Sequence, residues 1–168
     1  MRGDRSVKQL RIGVLVGLFA VAGVLSWAGA RLWDTLGTLP SVPLAAPVVL
    51  ALIAVVLGAT ALSLRSRLTA QRERRPGAKG VDPLVAARAV VFGQASALVA
   101  ALVSGMYGGV GLFLVLSELD IPARRDQAIY AGASVVAGAA VVAVAFFLER
   151  VLKLPEDDDD DPRGAARA

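Results

Sequence analysis

Four long apolar runs separated by short polar punctuation organise this chain. The first extends from Ile12 to Leu32, preceded by Arg2, Arg5, Lys8 and Arg11, and meets no charge until Arg31. The second covers Leu44 to Leu64, the third Pro83 to Leu116 with no charge after Arg88, and the fourth Ala128 to Leu148. Runs of about 18 or more apolar residues are long enough to cross a bilayer as helices, which satisfy their own backbone groups where no water can. The pattern predicts an all-α fold, a four-transmembrane-helix bundle with helices over about 10–33, 44–75, 83–117 and 122–153. Residues 1–154 then form one membrane domain, and residues 155–168, rich in aspartate, have the composition of a disordered acidic tail.

Punctuation residues fix the breaks. Trp33 and Asp34 follow the first run where the headgroup interface begins, and Pro40 and Pro43 turn the chain. Good helix formers continue past Leu64 until Pro76 and Gly77, so the second helix outruns the bilayer. From Ala45 to Arg75 it would measure roughly 45 Å against a hydrocarbon core of about 30 Å, leaving a basic extension in the headgroups or cytoplasm. Asp82 before Pro83 reads as an N-cap followed by proline at the first helical position.

Composition agrees with lipid as solvent: of 168 residues, 56% are hydrophobic and 19% charged. Cysteine and histidine are both absent, which removes disulfides, thiolate and imidazole metal sites and the nucleophiles and proton carriers built on them. No cofactor, metal or catalytic group is expected. The net charge of +4 serves topology here rather than nucleic acid, which is not expected as a partner. With the N-terminus inside, fifteen of the eighteen Lys and Arg lie on the cytoplasmic side and only Arg31, Arg124 and Arg125 outside, so both termini are read as cytoplasmic in the plasma membrane. A basic start ending in Ala28-Gly29-Ala30 also resembles a cleaved secretory signal, but the apolar run is longer than the usual 7–15 residues and Trp27 adjoins the site, which favours an uncleaved helix.

The clearest regularity is on the third helix, where Ala89, Gly93, Ala97, Ala101, Gly105 and Gly109 recur every fourth residue. Lipid supplies no hydrophobic force between helices, so association relies on close packing, and such a small-residue stripe lets backbones approach. It is read as helix packing inside a tight bundle, with a homodimer or partner interface as the alternative. Gly13 and Gly17, Ala54 and Gly58, and Ser134 and Gly138 repeat the spacing. The Gly108-Gly109-Val110-Gly111 cluster offers a helix break of the kind found in carriers, against ordinary membrane-helix glycine. Gln94 and Ser96 are read as hydrogen-bonding to neighbouring helices. Arg88 and Glu149, at the cytoplasmic ends of antiparallel helices, are expected to approach as a structural ion pair. Arg65, Arg67, Arg72, Arg74, Arg75 and Lys79 are the candidate contact with anionic headgroups or a protein partner. The Asp157–Asp161 run lacks the spaced ligands and turn glycine of a calcium loop and is read as solvated.

Arg75-Pro76-Gly77, the run Val81-Asp82-Pro83-Leu84-Val85-Ala86-Ala87-Arg88, Gln94-Ala95-Ser96, Arg124-Arg125-Asp126, and Phe147-Leu148-Glu149-Arg150 with Leu154-Pro155-Glu156-Asp157 together carry a resemblance. The chain resembles the actinobacterial integral membrane protein family of unknown function whose genes often lie beside folate-biosynthesis genes. That resemblance implies a four-helix plasma-membrane protein and brings no assigned activity. Many relatives have cysteines after the Leu-Glu-Arg, where this chain has Val151 and Lys153, so no thiol role carries over. The reading is a non-enzymatic structural or accessory subunit. Its rivals are permeation of a small solute along a polar groove bounded by Gln94, Ser104 and Tyr107, and a membrane enzyme using Glu149.

Overall fold

Helices form where the apolar runs leave the backbone no other hydrogen-bond partner, and they stop where a residue caps or breaks them. The computed structural model describes residues 12–37, 41, 43–73, 82–117 and 121–152, and among these it contains four helices and no strand. They are α1 (Ile12–Thr35), α2 (Ala45–Arg72), α3 (Pro83–Ser117) and α4 (Pro122–Leu152). α1 ends in a turn in which Leu36 N–H and Gly37 N–H donate to the carbonyls of Trp33 and Asp34. Gly37 has φ +73°, a left-handed conformation that glycine adopts without a Cβ penalty. α3 begins with Pro83 after Asp82, whose Oδ1 accepts from Leu84 N–H at 2.8 Å, and α4 likewise opens on a proline.

All four helices are long and apolar enough to cross a membrane. The 24 residues of α1 span about 36 Å and the 35 of α3 about 52 Å, against roughly 30 Å of hydrocarbon. α2 stays helical to Arg72, and Glu73 N–H still donates to Thr69 O. Arg74, Arg75 and Lys79, the N-terminal basic residues and the predicted acidic tail of 155–168 lie outside the described residues. In the most apolar 18 residues of each helix only 11% to 39% are buried against protein, so most of the surface is left for lipid. The outward hydroxyls of Thr35, Thr60 and Ser66 donate to carbonyls of their own helix, Thr60 Oγ1 to Val56 O at 2.8 Å.

Side by side, the helices run in the order α1, α3, α4, α2. α3 lies between α1 and α4, and α2 packs on the far side of α4 with slight contact to α3. Among the described residues no Cα of α1 comes within 8 Å of α2 or α4. The reason is the narrowness of the seams on the two end helices: α1 buries Leu15, Ala22 and Ala30, and α2 buries Leu50, Leu57, Ala61 and Leu64 along one line. Where lipid already solvates the remaining apolar faces, nothing draws the row shut.

The two inner helices carry the packing. α4 buries Ala131, Ser134, Gly138, Val141, Ala145 and Leu148, alternating steps of three and four that keep one face toward α3 and α2. Leu57, Ala61 and Leu64 of α2 join Val141 and Leu148 of α4 in one cluster, and the Arg65 guanidinium stacks 5.8 Å from the centre of the Phe147 ring.

Candidate functional site

The small-residue stripe of α3 does not face one neighbour. Four residues advance a helix by one turn plus about 40°, so five such steps rotate the stripe by roughly 200°. Ala89 packs against the α2–α4 cluster, and a Cβ at Gly93 would stand 3.1 Å from Leu148 Cδ2 of α4. Ala97 and Ala101 meet both Leu15 of α1 and Ala145 of α4. At Gly105 a Cβ would fall on the backbone of Phe19, and at Gly109 on the Gly23 carbonyl, both in α1. One row of small residues thus passes α3 from α4 to α1. Contact with α4 continues along Ala100, Ser104, Gly111 and Leu114, where Ser104 Oγ donates to Ser134 O at 3.4 Å and a Cβ at Gly138 would land on the Ser104 side chain.

Because the backbone of α1 lies along α3 and stays clear of α4, a cleft remains on each side of their contact. One, of about 640 Å³, has α3's Gly105, Gly108 and Leu112 as floor, Phe19, Gly23 and Trp27 of α1 as one wall, and Ala128, Gly132 and Val135 of α4 as the other. The second, of about 630 Å³, lies between Leu25, Gly29 and Trp33 of α1 and Leu102, Met106 and Val110 of α3, closed above by Ser41 and Pro43. Tyr107 borders both. Their walls are almost wholly apolar, unlike the polar groove expected of Gln94, Ser104 and Tyr107. Ser104 is buried against α4 and Gln94 lies ten residues along α3, about 15 Å away.

Beyond the lining of the first cleft, α1 and α4 continue into charged residues. Arg124 Nη1 donates to Asp34 Oδ1 at 3.3 Å, joining the start of α4 to the end of α1, and both side chains are about a third exposed. The Arg31 guanidinium lies 5.6 Å from the centre of the Trp27 ring. On α1 the residues Phe19, Gly23, Trp27 and Arg31 are four apart, with Asp34 three further on. On α4 Arg124, Ala128 and Gly132 are four apart, and Arg125 shares their face. Each wall therefore runs directly into arginine. The sequence reading placed these three arginines only as topology markers; the fourfold register from glycine through tryptophan to arginine was the available signal.

The other singled-out residues are dispersed. Arg88 is exposed near the start of α3 and Glu149 half-buried near the end of α4, at the end of the helices opposite to the Asp34–Arg124 ion pair. Arg65 and Arg67 are exposed on α2, whose backbone continues through Arg72. Gly13 and Gly17, expected to serve packing, have nothing within 4 Å of a would-be Cβ, so α1 uses its Gly23 face instead. Gly108, Gly109 and Gly111 lie in unbroken helix, and the helix break is not formed.

A family model described as protein of unknown function (DUF3180) matches residues 15–156, nearly the whole described structure. No curated protein and no solved structure matches the chain.

Proposed function

We propose that this chain, which belongs to the DUF3180 family of proteins of unknown function, is a non-enzymatic accessory subunit of a plasma-membrane assembly, with both termini cytoplasmic. The observation that supports the reading most is the attachment of α1 along one seam, which leaves the Gly13 and Gly17 face open to close approach by a helix outside the chain. The α3 stripe is covered from within by α1 and α4 and is not offered to a partner. On the cytoplasmic side Arg65, Arg67 and Arg72, continuing into Arg74, Arg75 and Lys79, hold the end of α2 against anionic headgroups, each contributing about 1 kcal/mol near such a surface. The actinobacterial resemblance, with folate-biosynthesis genes as neighbours, directs the search for the partner toward folate or pterin enzymes.

Affinity purification in mild detergent with quantitative mass spectrometry tests this. A stoichiometric protein that co-purifies with the native chain and is lost from Gly13→Leu plus Gly17→Leu supports the reading, whereas recovery of the chain alone from native membranes contradicts it. Permeation is the second reading and draws on the two clefts. They are apolar and open sideways between helices, so it predicts flux of amphipathic rather than polar solutes in proteoliposomes.

A further inference from the structure

We infer that the cleft between α1 and α4 is a binding site for an anionic phospholipid, one acyl chain lying on the glycine floor and the acidic headgroup at Arg31 and Arg125. The cleft follows α3 from Gly105 to Val115, about 15 Å of helix, which is half of a hydrocarbon core of roughly 30 Å and so the depth of one leaflet. Its volume of about 640 Å³ is in the range of sites that enclose a small ligand, roughly 300–1,000 Å³. Gly132 gives the channel its width, since nothing lies within 4 Å of a Cβ there.

Charge at the mouth selects the occupant. Both walls end in arginine, and Asp34, the one described carboxylate on these faces, is engaged by Arg124. Asp126 lies two residues from Ala128, roughly 200° around α4 and away from the cleft. Among the described residues on these two faces, Arg31, Arg124 and Arg125 against Asp34 leave an excess of positive charge beside an apolar slot that opens to lipid. Basic residues above a gap between membrane helices recognise acidic headgroups, and arginine matches a phosphate oxygen pair in the plane of its guanidinium. This site belongs to the leaflet at the α1–α2 turn, the outer one in the proposed orientation, and it does not depend on the accessory-subunit reading.

Trp27 forms part of the wall and reports occupancy. The full chain carrying Trp33→Phe, which leaves Trp27 as its single tryptophan, is reconstituted in phosphatidylcholine vesicles containing a fixed fraction of either brominated phosphatidylglycerol or brominated phosphatidylcholine. Stronger quenching by the phosphatidylglycerol is expected, with Arg31→Gln and Arg125→Gln each lowering the preference about fivefold. Gly132→Leu, which fills open space without a clash, abolishes the preference, while Gly132→Ala retains it; circular dichroism checks that both stay helical. Equal quenching by the two lipids, or a preference that survives Gly132→Leu, overturns the site. A preference that disappears as the protein-to-lipid ratio rises, with cross-linking between chains, assigns the cleft to a second copy and overturns it equally.

Discussion

At the scale of single residues, many of the most deeply buried positions are small. Ala61, Ala97, Ala100, Ala131 and Ser134 are at or below 1% exposure, while Val55, Leu62 and Val136 are more than half exposed. Small side chains at helix contacts allow dispersion contact between backbones, large ones such as Leu57, Leu114, Val141 and Leu148 fill the wider gaps, and the remaining large ones face lipid that solvates them equally well. Glycine substitutions should therefore divide by location. Gly109→Leu forces α1 away from α3 and should destabilise by roughly 1–3 kcal/mol, whereas Gly132→Ala in open space should be neutral or stabilising by up to about 1 kcal/mol, both read by denaturant titration in detergent micelles. Gly138→Ala should also destabilise, since its methyl meets the Ser104 side chain, and Ser104→Gly should restore most of the loss in the double variant. An additive double variant would show that the two positions do not share the contact.

At the scale of elements, the four helices were legible because each run has hydrocarbon length and each break carries proline or glycine. The arrangement was not. Helices apolar on every side have no hydrophobic face for periodicity to reveal, so neighbours had to be inferred from small-residue spacing, which on α1 and α3 does not give the contacts by itself. On α1 the Gly13–Gly17 pair is outside the contact and Gly23 inside it; on α3 one stripe rotates from α4 to α1. A short α1–α2 connection also suggests adjacent helices, yet both α1 and α2 prefer the helix that follows two later, giving the parallel pairs α1 with α3 and α2 with α4. The clefts went unread for the same reason, since they exist because the backbone of α1 lies along α3 alone. Cysteines introduced into this cysteine-free chain test the order directly: Gly108→Cys with Val135→Cys should cross-link within one chain, and Leu25→Cys with Leu52→Cys should not. The Asp34–Arg124 pair fastens α1 to α4 across their gap. Being part-exposed it should show a coupling of about 1 kcal/mol or less in a double-mutant cycle of Asp34→Asn and Arg124→Gln.

At the scale of the whole molecule, the account depends on apolar helices immersed in lipid with most basic residues on one side. The apolar surface left uncovered along the row would be untenable in water and is ordinary in a bilayer. Since the chain has no native cysteine, one measurement reads the arrangement without background: labelling of intact cells with a membrane-impermeant maleimide, using Ser41→Cys in the α1–α2 turn and Glu73→Cys at the end of α2. The account predicts that Ser41→Cys reacts in intact cells and Glu73→Cys only after permeabilisation. Labelling of Glu73→Cys from outside, or of both positions from the same side, would contradict it.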